Sequence, residues 1–184
     1  MIVLIVPVAA SLLLSLFRGG RFERLGEVRI KGFYLILLTL VLQVLLFNPF
    51  WSDAAVWSES LYILTTLPLV VATWLNRRVL GVIPVALGLL TNSLAMLTND
   101  GYMPVSFDAL YISGYANSPQ AVGSVNLSLL RGMTPLWFLG DIFAVPKWVP
   151  MASVFSVGDV IIALGGAWFV WVGTRGPRAR RVFP

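Results

Sequence analysis

Five apolar runs constrain this chain more than any other feature. They are IVLIVPVAASLLLSLF at 2–17, FYLILLTLVLQVLLFNPFW at 33–51, LYILTTLPLVVATWLN at 61–76, VLGVIPVALGLLTNSLAML at 79–97 and VGDVIIALGGAWFVWVG at 157–173. Four hold no ionisable side chain, and Asp159 stands at the start of the fifth. A membrane-spanning helix needs roughly 17–25 apolar residues, and flanking residues or local thinning would complete the shorter runs. Only 11% of the residues are charged, against about 25% in soluble domains. The fold expected from these runs is an all-α, polytopic membrane bundle. It forms a single domain over 1–184, with five transmembrane helices at about 2–17, 33–51, 61–76, 79–97 and 157–173 and a long outer cap at 98–156. The first run lacks a basic leading segment and a small-x-small cleavage site, so it reads as a retained span rather than a signal peptide.

Charge gives a sidedness. Arg18, Arg21, Arg24, Arg29 and Lys31, then Arg77 and Arg78, then Arg175, Arg178, Arg180 and Arg181 would share one side; Arg131 and Lys147 would be alone on the other. The positive-inside bias places the N-terminus outside and the C-terminus in the cytoplasm. Trp residues near the ends of the runs fit interfacial anchoring. The stretch LSLLRGMTPLWFLGDIFAV at 127–145 invites a sixth span, but Arg131, Pro135 and Asp141 interrupt it, so it reads as an interfacial or shallow re-entrant segment. The cap holds five ionisable residues, Asp100, Asp108, Arg131, Asp141 and Lys147. It is therefore expected to lie against the bilayer or a partner: a membrane protein or another copy of the chain. The formal charge of +5 comes without a separate basic, aromatic-studded stripe, which argues against nucleic acid.

The chain has no Cys and no His. Thiol nucleophiles, disulfides, imidazole bases and the usual zinc ligand sets are excluded, and no cofactor or metal site is expected. Catalysis would rest on carboxylates. Asp100, Asp141 and Asp159 are the candidates for acid, base or cation ligand, although Ser156-Val-Gly-Asp159 also fits a helix capping box. In the fourth run Gly81, Gly88, Asn92, Ala95 and Asn99 recur at helical spacing. That stripe suits close helix packing, with Gln43 of the second run as a partner for Asn92, or else a groove for a small molecule. The binding candidates are therefore Gln43, Asn92, Asn99 and Met103.

The polar knot TNDGYMPVS at 98–106 ends the fourth run. Asn and Gly tolerate positive φ and pair with freed carbonyls, while Pro104 holds Met103 extended. Residues 102–105 are expected to pack on 134–156, with Trp137, Phe138, Phe143 and Trp148 offered to the Met103 sulfur.

Taken together, RGGRFERLGEVRIKG, Gln43, NDGYMPV and GDIFAVPKWVPMASVFSVGDVIIALG, in that order, resemble an uncharacterised bacterial integral membrane family catalogued as domain of unknown function number 5317. The resemblance covers nearly the whole chain; Asp100 stands where that family's motif commonly has glycine. It implies a multi-pass protein of the bacterial inner membrane and brings no activity with it. The function expected is that of a non-enzymatic structural or partner-binding membrane component. The alternatives are a membrane-embedded enzyme acting on a lipid or isoprenoid head group at the outer face, and a small-molecule carrier using Asn92 and Gln43.

Overall fold

The computed structural model describes residues 2–46, 58–99, 102–115, 127–129 and 134–176. Helices occupy each apolar run: α1 (Ile2–Phe17), α3 (Phe33–Leu46), α4 (Ser58–Leu75), α5 (Val82–Leu97) and α7 (Val157–Gly173). Two shorter helices join them, α2 (Glu23–Gly26) and α6 (Phe107–Ser113). Local chemistry sets several boundaries. Gly81 precedes α5 at φ +89°, a left-handed turn open to glycine. Ser106 caps α6 at one end and Gly114, at φ +82°, closes it at the other.

The centre of the molecule is the antiparallel pair α5–α7, built on facing glycines. A Cβ on Gly88 would lie 2.5 Å from the Gly158 carbonyl oxygen, and one on Gly81 would lie 2.5 Å from the Gly165 carbonyl oxygen. Bare backbone at four positions lets the two axes approach closely. On the other side of α7, α1 runs parallel to it. Ser11 Oγ donates to the Ala167 carbonyl at 2.5 Å, and the buried Ser15 and Thr174 hydroxyls meet at 2.5 Å. Helix α3 packs with α4, locked where Asn76 accepts from the Lys31 N–H and donates to its carbonyl, both at 2.8 Å.

Beyond the end of α5 the chain forms short strands. β1 (Met103–Val105) pairs in parallel with β2 (Leu127–Leu129), Met103 opposite Leu127. β3 (Phe143–Val145) pairs antiparallel with β4 (Ser153–Phe155), and the Phe143 and Phe155 rings stack at 5.5 Å. The Asp141 N–H donates to the Pro104 carbonyl at 2.8 Å and the Ser106 N–H to the Asp141 carbonyl at 3.2 Å, joining the two small sheets. Met103 is buried against Ala95 and Met96, with Leu139 packed on that cluster.

Three expectations need correction. Among the described residues no helix is long and apolar enough to cross a membrane. The 16 residues of α1 or α5 extend about 24 Å at 1.5 Å per residue, short of a hydrocarbon layer about 30 Å thick. The 18-residue α4 opens with Ser58-Glu59-Ser60 and carries Thr65, Thr66 and Thr73. The five-span multi-pass bundle is overturned, and with it the N-outside, C-cytoplasmic orientation and the placement in a bacterial inner membrane. The fold is not all-α, since four strands are present among the described residues. Nor is 127–145 one re-entrant segment: it contains β2, a 3-10 helix at Trp137–Leu139 and β3.

Residues 102–105 do pack on the later stretch: Leu139 packs on the cluster that holds Met103, and the Asp141 N–H donates to the Pro104 carbonyl. Trp148 is largely exposed, and Trp137, Phe138 and Phe143 are about half exposed.

Candidate functional site

Several described polar groups converge where α5 meets the start of α7. Ser156 begins the arrangement. It is fully buried, and its Oγ accepts from the Asp159 N–H at 3.0 Å. The Asp159 carboxylate accepts in return from the Ser156 N–H, also at 3.0 Å, completing the capping box. Two donors that open α7 are thereby satisfied. Asn92 of α5 closes the ring: its Nδ2 donates to Asp159 Oδ1 at 3.0 Å and its Oδ1 accepts from Ser156 Oγ at 2.8 Å. A Cβ on Gly158 would run into Asn92 Oδ1, so this position admits only glycine without a shift of its neighbours.

Asp141 completes the group. Burial, and then the nearby Asp159 charge, raise its carboxyl from 3.8 to about 7. A carboxylate held by two hydrogen-bond donors, the Ser156 N–H and Asn92 Nδ2, thus stands near a carboxyl that burial pushes up to about 7. An acid or base of that kind is what proton transfer at a substrate would require. Among the described residues there is no group of three or more acidic side chains able to hold a metal ion.

The structure brings Asn92 and Asp159 together, with Asp141 near enough for the Asp159 charge to act on its carboxyl. It separates the remaining candidates. Asn99 Nδ2 donates to the Tyr102 carbonyl at 3.0 Å within the turn after α5, and Met103 belongs to the small apolar core. Asp100 and the Gln43 side chain lie outside the described residues, and the Asn92 amide is engaged by Ser156 and Asp159. The glycines of α7 escape a reading confined to the fourth run. Their signal is spacing, since Gly158 and Gly165 repeat the seven-residue interval of Gly81 and Gly88.

Ser156→Ala removes the cap oxygen and leaves Asn92 Oδ1 without its hydroxyl donor. A loss of about 1–2 kcal/mol is expected, measured by denaturant unfolding. Retention of full stability would mean that the ring is not formed in solution.

A second feature lies on the α4–α5 face. Leu67, Val70 and Trp74 of α4 face Ile83, Leu87 and Leu90 of α5 across a slot of about 510 Å³, with Arg77 among its lining residues. No curated protein and no solved structure matches the chain. A family model does: it spans residues 27–171, most of the sequence, and on that match the chain belongs to DUF5317, a family of unknown function.

Proposed function

We propose that the protein is a non-enzymatic, partner-binding component whose partner is lipid. The observation that carries this reading is the distribution of exposed apolar side chains. Ile5, Val6, Leu13 and Leu14 of α1, Tyr34, Leu37, Leu38 and Val41 of α3, Leu64, Leu67, Val70 and Val71 of α4, and Leu87 and Leu90 of α5 are all exposed. Each such side chain left in water forgoes about 1.5–3 kcal/mol of burial. One protein interface covers a single patch of about 800 Å² per partner. Apolar side chains on four helices ask instead for a medium that fits many faces, as acyl chains do. The reading asks for contact with acyl chains and not for a helix that crosses them.

Charge supports a preference among lipids. The Arg21 N–H donates to the Thr174 carbonyl at 2.9 Å and Arg24 Nη1 to the Arg175 carbonyl at 3.1 Å. Arg18 and Arg175 lie 5.8 and 3.8 Å from the Trp171 ring. Lys31 is held beside Asn76, next to Arg77. One end of the molecule therefore gathers cations, each worth about 1 kcal/mol near an anionic lipid surface. The enzymatic reading, on a lipid or isoprenoid head group, rests on Asp141 alone. It is the weaker one, because Asn92, Ser156 and Asp159 are committed to one another.

Flotation with vesicles tests the proposal. The protein is expected to float with phosphatidylcholine vesicles, and more completely when phosphatidylglycerol is added, the increment shrinking in high salt. A protein that stays in the lipid-free fraction with both, or forms a stable dimer without detergent, refutes it.

A further inference from the structure

The geometry points to a binding site for one long-chain fatty acid in the slot between α4 and α5, with Arg77 receiving the carboxylate. This rests on the lipid-binding reading and names a specific ligand within it.

The slot's volume of about 510 Å³ falls inside the roughly 300–1,000 Å³ typical of small-molecule sites. Its length follows from the residues that line it, which run along α5 from Ile83 to Leu97. Fourteen steps of 1.5 Å give about 21 Å, the reach of an extended long-chain acyl group.

The lining has a direction. Leu67, Val70, Ile83, Leu87 and Leu90 make it apolar along its length. At the α4 C-terminal end stands Arg77, whose guanidinium lies 4.6 Å from the Trp74 ring centre while Nη1 donates to the Trp74 carbonyl at 3.0 Å. Stacking and one hydrogen bond hold the cation in place, and a guanidinium has five donors in all, enough to receive a carboxylate as well. An apolar groove with a fixed cation at one end matches an anionic amphiphile with an extended acyl chain in both length and charge.

Bromostearic acid titrated into the full-length protein, read by quenching of Trp fluorescence, tests the site; its methyl ester serves as the uncharged control. Saturation at one molecule per chain is expected, with most of the quenching lost in Trp74→Phe. Arg77→Gln is expected to weaken binding of the acid about tenfold, as suits a charge-assisted bond, and to leave the ester unchanged. Ala86→Phe, which fills the slot, is expected to abolish binding of both, with Leu87→Trp as the second slot-filling variant and helical circular dichroism as the folding control. Equal loss of acid and ester binding in Arg77→Gln, full binding in a folded slot-filled variant, or displacement of the acid by a diacyl phospholipid at equal concentration would overturn the assignment. Vesicle flotation of the slot-filled variant separates the two levels. If it floats normally and no longer binds the acid, the slot is the specific site; if the unaltered protein binds the acid but fails to float, only the broader lipid-facing reading falls.

Discussion

Gly88→Leu is expected to destabilise the protein by more than about 3 kcal/mol, the upper end of ordinary overpacking, and to remove its cooperative thermal transition. A Cβ at Gly88 alone would lie 2.5 Å from the Gly158 carbonyl oxygen and 2.6 Å from Ile162 Cγ1. Neither neighbour is the free end of a flexible chain, since one is backbone and the other belongs to the crossing itself. Helices α5 and α7 would have to separate, breaking the contact between Asn92 and the start of α7. Gly88→Ala should already cost about 1–3 kcal/mol, even after the gain of about 1 kcal/mol in helix propensity. Gly26 is the control: a Cβ there meets nothing within 4 Å, so Gly26→Ala should be neutral or slightly stabilising. Melting temperatures would report the difference at about 2–4 °C per kcal/mol for a chain of this size. If Gly88→Ala melts with the unaltered protein, the close crossing of α5 and α7 is wrong.

Asp141 gives the second large effect, and its sign is fixed by the direction of the shift. The folded carboxyl titrates at about 7 against 3.8 for an ordinary one. Between those values the folded chain holds a proton that the unfolded chain has released. The stabilisation is complete below about pH 4 and is lost as the pH rises through 7, because the buried group must then carry its charge beside Asp159. Asp141→Asn keeps the shape and cannot ionise. The unaltered protein is therefore expected to melt on the order of 5–10 °C lower at pH 8 than at pH 5, and Asp141→Asn to show little of that difference. Melting curves at the two pH values decide the matter. Equal pH dependence in both proteins would mean that another group is responsible.

How much of this the sequence carried depends on the kind of interaction. The apolar runs located the long helices, because an unbroken apolar stretch of that length is too long for a strand. They overstated helix length, since such a run does not mark where the backbone turns. Residues 79–81 belong to the apolar run yet form the turn before α5, set by the positive φ of Gly81. That difference of a few residues separates a segment long enough to span a bilayer from one that is not. The capping box at Ser156 was legible because it is written in four consecutive residues. The neighbourhood of Asp141 was not, since it depends on backbone hydrogen bonds to Pro104 and Ser106, which no side-chain pattern records. Three-residue strands are too short to show alternation. The place of Leu139 on the Met103 cluster was not legible either, since no pattern in the sequence singles that leucine out from the larger rings around it.

The hydroxyls of Ser15 and Thr174 meet across 159 positions of chain. At about 5–20 residues per second, a ribosome needs roughly 8–30 s to deliver the second after the first. Helix α1 is thus complete long before the surface it docks on exists, and during that interval its apolar residues have no native neighbour on α7. Whatever shields them in the meantime acts before the protein has its final shape. A helix made before its partner by that interval is among the last to be seated.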